Sequence, residues 1–372
     1  MTGLPELADE LRRIGRAAGL DSVGICHADP FDGARSAIEG RRASGESAGM
    51  QFTFRNPARS TDPKATLPAA RALFVGARSY YRQPVGPTSP APAARVARYS
   101  WSDHYAPLRR ALGEVAQRLV EEGWSARVLV DDNALVDRAA AVRAGLGWYG
   151  KNTNVLLPGK GSWFVLGSVV TDAPIAPVAV VEEVADGCGG CRRCLTDCPT
   201  GALVEPGRLD ARRCLAWLLQ APGPFPVEHR EALGDRIYGC DACQERCPVN
   251  RRALAGHPGA AAGPADRPWI AALDLLDATD GELEQLVGRW YIPGREMRYV
   301  RRNALVVLGN VARGDDPAVI AALRRYLDHR DPLLRGHAVW AAGRLGRRDL
   351  IDYRADDDSF VTDELARVRA RP

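Results

Sequence analysis

Cys188-x2-Cys191-x2-Cys194-x3-Cys198-Pro199, followed by Cys214 and then Cys240-x2-Cys243-x3-Cys247-Pro248, is the stretch that decides the architecture of this chain. Three cysteines at successive x2 spacing, then a fourth before proline, form the bacterial run that holds a [4Fe–4S] cluster, the fourth thiolate serving a second cluster. Eight thiolates suffice for two such clusters. The interleaving rule assigns Cys188, Cys191, Cys194 and Cys247 to one and Cys198, Cys214, Cys240 and Cys243 to the other. The prolines after Cys198 and Cys247 turn the chain away once the last ligand is placed. Structural zinc fits less well, because it favours two separated Cys-x2-Cys pairs around one tetrahedral ion. Disulfides fit less still: no secretory signal is read, and a cytosolic setting keeps thiols reduced. Cys26, in the apolar run Val23-Gly24-Ile25-Cys26, reads as a buried, inert thiol. Two clusters pass electrons one at a time, so the question becomes what receives them.

At 372 residues the chain has room for two to three domains. No apolar run reaches the ~18 residues of a membrane span, so a cytoplasmic protein with no membrane partner is expected. The net charge is only +4, but it is unevenly spread. Between Arg289 and Arg354 there are fourteen arginines against seven acids, a surplus of seven. Lys64, Lys151 and Lys160 are the only lysines. Arginine is thus a chain-wide preference, and its clustering is the informative part.

Outward from the cysteines, residues 6–18 read as a helix on the spacing of Leu7, Leu11, Ile14 and Ala18. Residues 21–26 and Ala72 to Tyr80 read as strands. The proline-rich stretch 83–97 reads as a loop or linker. Tyr105 to Glu122 is an expected helix, Arg127 to Val130 a strand, and Asp137 to Ala144 a helix ending at Gly145. Val155-Leu156-Leu157 and Trp163 to Val170 are expected to pair around Pro158-Gly159-Lys160-Gly161. The expected class is α+β multidomain: an α/β core over 1–178, a ferredoxin-like double-cluster region over 179–250, and a helical region over 251–372. The last carries a repeat, because Arg301-Arg302-Asn303-Ala304 aligns with Arg335-Gly336-His337-Ala338 at an offset of 34 residues. An Asp331-Pro332 start and this period suggest HEAT-like helical pairs. With the arginine surplus, they point to an anionic partner, nucleic acid above all.

The densest polar segment outside the clusters is Val130-Asp131-Asp132-Asn133-Ala134-Leu135-Val136-Asp137-Arg138, followed by Gly145-Leu146-Gly147-Trp148-Tyr149-Gly150-Lys151-Asn152. Asp131 and Asp132 fall at a strand's carboxyl end, where open α/β sheets tend to place ligands. Asp137 suits a helix start and could be only a cap. The glycine run is not a phosphate loop, since it lacks a preceding strand and a Ser or Thr after the lysine. Its glycines suggest a chain path close to a bulky ligand.

Together these motifs resemble the epoxyqueuosine reductase family over nearly the whole length. The resemblance runs through Gly49-Met50-x-Phe52, Arg59-x-x-Asp62-Pro63, Leu67-Pro68, Val130-Asp131, Asp137-Arg138, Gly147-Trp148-x-Gly150-Lys151-Asn152, the eight cysteines, Arg302-Asn303-Ala304 and Leu334-Arg335-Gly336-His337-Ala338. It implies a reductive-dehalogenase-like cobalamin-binding core and a Co(I) cofactor reduced through the two [4Fe–4S] clusters. It further implies removal of the epoxide oxygen from epoxyqueuosine in tRNA. Asp131 matches the family's proton donor; Tyr105, Arg138, Lys151 and Asn152 are then expected at the cofactor. Arg301, Arg302 and Arg335 are expected to contact tRNA. A monomer served by an external low-potential electron donor is expected. The chain departs from the family's pattern at Asp103-His104-Tyr105, at Ala134, and at Ala216-Trp217-Leu218-Leu219-Gln220, where polar residues are usual. These departures keep open a cobalamin- and iron–sulfur-dependent reductase acting on a different substrate.

Overall fold

The structure, a computed structural model, describes residues 3–88, 91–177, 182, 184–256 and 259–370. Ser89 and Pro90 of the proline-rich stretch, and the expected boundary at 178/179, lie outside the described residues. The chain forms two compact units, each assembled from three segments. The first comprises Met1–Gln83, Asp103–Arg212 and Ala242–Ala261; the second comprises Pro84–Ser102, Arg213–Asp241 and Ala262–Pro372.

The first unit is built on a four-stranded sheet of β1 (Ser22–His27), β2 (Ala72–Ser79), β3 (Ala126–Val130) and β4 (Phe164–Thr171), in the order β1-β2-β4-β3. Every pairing is antiparallel. The rule that places ligands at switch points of parallel sheets therefore does not apply to Asp131. Leu73, Phe74 and Val75 of β2 are wholly buried, because both faces of the sheet are covered. Helix Tyr105–Glu121 packs Leu108, Leu112, Val115 and Leu119 inward from one side, and helix Asp137–Arg143 packs Ala139, Ala140 and Ala141 from the other. Gly167 makes the first contact possible: a Cβ there would lie 2.8 Å from Leu112 Cδ1. Cys26 is buried under the alanine helix, and desolvation pushes its thiol up to about 12, as suits an inert residue.

One expected pairing is wrong. Val155–Leu156 pairs with Trp148–Tyr149, not with residues 163–170, which instead form β4 between β2 and β3. The long hydrophobic run 164–171 can fill a sheet centre buried on both faces, whereas the two-residue Val155–Leu156 cannot.

In the second unit, Ala93–Val96 is a strand inside the stretch expected to be a loop. It pairs with Arg236–Tyr238 and Trp269–Ala271. The prolines of the stretch all precede it, so its own amides are free to pair. Helices Arg298–Val311, Pro317–Leu327, Pro332–Arg344 and Ser359–Ala370 follow. Asp316 and Asp331 each cap a helix that has proline at its first position, accepting from Ala318 N–H and Leu333 N–H. Leu215, Leu218, Leu219 and Phe225 join the core of these helices.

Candidate functional site

Two sites emerge in the first unit. The first is a cavity of about 70 Å³ lined by Cys188, Cys191, Cys194 and Cys247, with Lys151, Asn152, Leu156, Val249 and Arg252 completing its wall. The interleaved assignment brings a distant cysteine to the first three, and this is the set that surrounds the cavity. Among the described residues no three His, Cys, Asp or Glu side chains converge on a single metal-ion position. Zinc needs four sulfurs about 2.3 Å from one centre; thiols set around a larger void suit a multinuclear cluster instead. Burial, then the neighbouring Cys247, Cys188 and Cys191, push Cys194 up to about 11. Bound iron reverses that preference, since a coordinated thiol is deprotonated. Burial also raises Cys247, while the amides of Asn250 and Val249 donate to its sulfur and work the other way.

Side chains that sequence reasoning missed hold this wall in place. Gln244 donates to Tyr80 Oη at 3.0 Å and to Ser162 O at 3.0 Å. Asn250 Nδ2 donates to Gln244 O at 2.8 Å, and its Oδ1 accepts from Ser162 N–H at 2.7 Å. All four residues are buried. The network ties the segment carrying Cys243 and Cys247 to the ends of β2 and β4, and it explains the family-like Gln and Asn positions as anchors. Of the second ligand set, Cys198 and Cys243 belong to the first unit and Cys214 and Cys240 to the second. Cys198 Sγ accepts the amide of Ala202 at 3.2 Å.

Lys151 and Asn152, expected at the cofactor, stand beside the cysteines. Both line the cluster cavity, and Lys151 Nζ donates to the carbonyl of Gly189 in the cysteine loop. The glycines before them leave no cradle for a bulky ligand. Gly145, at φ +73°, ends helix Asp137–Arg143. A Cβ on Gly147 would lie 2.0 Å from Leu156 O, and one on Gly150 2.0 Å from Leu156 Cδ1. These glycines serve the packing of chain on chain.

The second site is the turn that carries Asp131. β3 ends at Val130, whose carbonyl accepts from Arg109 Nη2 at 3.1 Å. Asp131 then adopts φ +52°, a left-handed conformation that costs a non-glycine residue about 1–3 kcal/mol. The turn is pinned beyond it: Asp132 Oδ1 accepts from Ala134 N–H at 2.9 Å, and Ser60 Oγ donates to Asn133 O at 2.8 Å. The protein thus spends strain on presenting one carboxyl. Asp131 remains open to solvent yet hemmed by protein, and desolvation raises its pKa against the opposing charge of Arg109. Asp137 is raised well above the carboxylate range, first by burial and then by Asp131. Arg138 stands beside it, as the sequence expected. Tyr149 is nearly half exposed, near Arg138 and Arg41, and desolvation raises its phenol. Tyr105 opens helix Tyr105–Glu121 one turn before Arg109, on the same helical face. Carboxyls of raised pKa, an open aromatic face and guanidinium groups suit a large ring bearing amide groups, which is the chemistry of cobalamin.

The expected tRNA arginines are placed differently. Arg302 has no exposed surface. It donates to the carbonyls of Ala221, Gly223, Leu218 and Leu219 at 2.7, 2.6, 3.1 and 3.4 Å, and to Asn303 Oδ1. It is a structural cap on the segment following Cys214 and cannot reach a surface ligand. Arg335 is paired with both oxygens of Asp356, at 2.7 and 2.8 Å, and Arg301 with Asp280 at 2.5 Å. Arg324 and Arg330 are exposed, and neither makes an ion pair among the described residues.

Residues 187–250 match the family of 4Fe-4S double cluster binding domains, and residues 294–368 match HEAT repeats. Fold and site define an iron–sulfur oxidoreductase with a helical-repeat region. The chain is 33% identical to the epoxyqueuosine reductase of Staphylococcus aureus, covering 93% of this chain and 92% of that one. It is 32% identical to that of Bacillus cereus, over 92% and 90%. A crystal structure of epoxyqueuosine reductase with an epoxyqueuosine-modified tRNA-Tyr stem loop superposes with a TM-score of 0.85 at 29% identity, covering 99% of this chain and 100% of that one. The Bacillus subtilis enzyme, seen with its catalytic aspartate loop swung out of the active site, gives 0.85 at 27%, covering 98% and 99%. The chain belongs to the epoxyqueuosine reductase family.

Proposed function

We propose that this chain removes the epoxide oxygen from epoxyqueuosine in tRNA to give queuosine. The observation that carries this is Asp131: a carboxyl whose pKa burial raises, held at a left-handed turn after β3. Bound cobalamin would supply the reducing chemistry at the epoxide, fed with electrons through the two clusters. Loss of the epoxide oxygen as water takes two electrons, which the bound cofactor and clusters would supply, and two protons. Asp131 would donate to the oxygen left by C–O cleavage and be reprotonated from solvent for the second transfer. Burial and then Asp132 raise the proton affinity of Asp131, Arg109 steadies the end of β3, and Arg138 lies near Tyr149. Ligands of the second cluster are Cys198, Cys214, Cys240 and Cys243, on the interleaved spacing.

The regions 1–178, 179–250 and 251–372 then serve catalysis, electron transfer and tRNA contact. An external low-potential donor supplies the electrons, and the protein acts as a cytoplasmic monomer. Of residues 216–220, Leu218 and Leu219 pack into the core of the second unit, so at these two positions the departure from the family pattern serves packing. Tests of the cofactor reading are direct. Anaerobically reconstituted protein should hold about eight iron atoms and take up cobalamin; failure of either removes the proposal.

Phosphate contact falls to Arg324 and Arg330. Replacing each with alanine should weaken tRNA binding uniformly across sequences and lower the salt slope by about one per arginine. An unchanged slope would take this surface out of recognition.

A further inference from the structure

We propose that Asn152 and Trp148 donate hydrogen bonds to the sulfur atoms of the cluster held by Cys188, Cys191, Cys194 and Cys247, and so set its reduction potential. This rests on the cluster reading above. Asn152 lines the cluster cavity and is 3% exposed. Its Oδ1 accepts the N–H of Asn154 at 3.2 Å, which fixes the orientation of the amide. Nδ2 is left buried with no partner. Trp148, 8% exposed, packs in one apolar cluster with Cys247, Cys188 and Leu156. Its indole N–H is buried and unpartnered too.

Native proteins seldom leave buried donors unpaired, and here two occur within five residues beside one cavity. Leu156 and Val249 offer no side-chain acceptor. Cluster and thiolate sulfurs do, and hydrogen bonds to them are one of the levers that set a cluster's potential. The reduced cluster carries one more negative charge, so N–H donors favour it. Lys151 and Arg252 line the same cavity and act in the same direction through their charge. This cluster is thereby made the more easily reduced, which suits a relay that must accept electrons from outside.

The test is an anaerobic redox titration of the whole chain, followed by EPR of its reduced clusters. The variants are Asn152→Leu, close in size and lacking the donor, and Trp148→Phe. Each should leave about tenfold less of one cluster reduced at a fixed potential, or ~59 mV for a one-electron couple. The other cluster should be unaffected. Full iron content with unchanged potentials overturns this proposal, whereas wild-type protein that holds no four-iron clusters overturns the reading beneath it. Should a variant lose iron, wild-type protein carrying nitrogen-15 in Asn and Trp side chains decides the matter. Pulsed EPR of the reduced cluster should detect coupled side-chain nitrogen, and its absence overturns the proposal.

Discussion

Asp131→Asn is expected to keep both clusters and its cobalamin while turnover falls by about 10²-fold or more, the usual contribution of a positioned general acid. That loss corresponds to roughly 2.7 kcal/mol of transition-state stabilisation. Asparagine preserves size and tolerates the left-handed conformation at this position, so the fold is not at issue. What it lacks is a proton to give. The pH dependence has a definite sign. Desolvation raises the Asp131 pKa, so the acid form persists to higher pH than for an exposed carboxyl. Wild-type turnover should be full below that raised value and fall as pH climbs through it, while the residual rate of the variant lacks this limb. Rates and pH profiles measured on cluster-loaded protein check both points. Unchanged turnover would move the acid to Asp137 or Asp132.

Arg302→Ala is expected to destabilise the second unit by about 4 kcal/mol or more. Four backbone carbonyls lose a charged donor, and each buried acceptor left unsatisfied costs about 1–3 kcal/mol. Set against a total stability of about 5–15 kcal/mol, that is a large fraction. Arg302 is a buried cation with no carboxylate partner among the described residues, and burial brings its pKa down to about 9. It persists because the carbonyls after helix Leu215–Leu218 gather their negative ends around it. Cys214 immediately precedes that helix. The second cluster should therefore be lost before the first as the variant is titrated with denaturant. Arg302→Lys keeps the charge but not the planar fork, and should recover only part of the stability. Chemical denaturation with iron release as a second signal measures this. If Arg302→Ala left stability intact and weakened tRNA binding instead, the structural assignment would be wrong.

The two arginines of the repeat show where sequence reading stops. Charge counting located a basic region, yet it cannot tell an arginine that faces solvent from one that caps a helix end. Arg302 and Arg330 are equivalent on paper and opposite in the fold. Cysteine spacing was legible because cluster geometry is local and rigid, so three ligands within seven residues announce themselves. Helix Tyr105–Glu121 and the 34-residue repeat were legible from periodicity. Strand partners were not, since Val155–Leu156 and Phe164–Thr171 are equally apolar and only sheet closure decides between them. In the site, Asp131 and Arg138 came from the motif itself. Arg109 reaches the end of β3, and Arg41 the surroundings of Tyr149, from separate elements, so no spacing reveals them. Lys151 and Asn152 were visible in the motif, but their place in the wall of the cysteine cavity was not. The fold alone shows that their segment turns toward the cysteines.

The most direct measurement is nucleoside mass spectrometry of epoxyqueuosine-bearing tRNA after anaerobic incubation with the loaded chain and a low-potential reductant. Conversion to queuosine, abolished when either the reductant or cobalamin is withheld, is the predicted result. Epoxyqueuosine left unchanged by protein carrying its full iron and cobalamin would contradict the account.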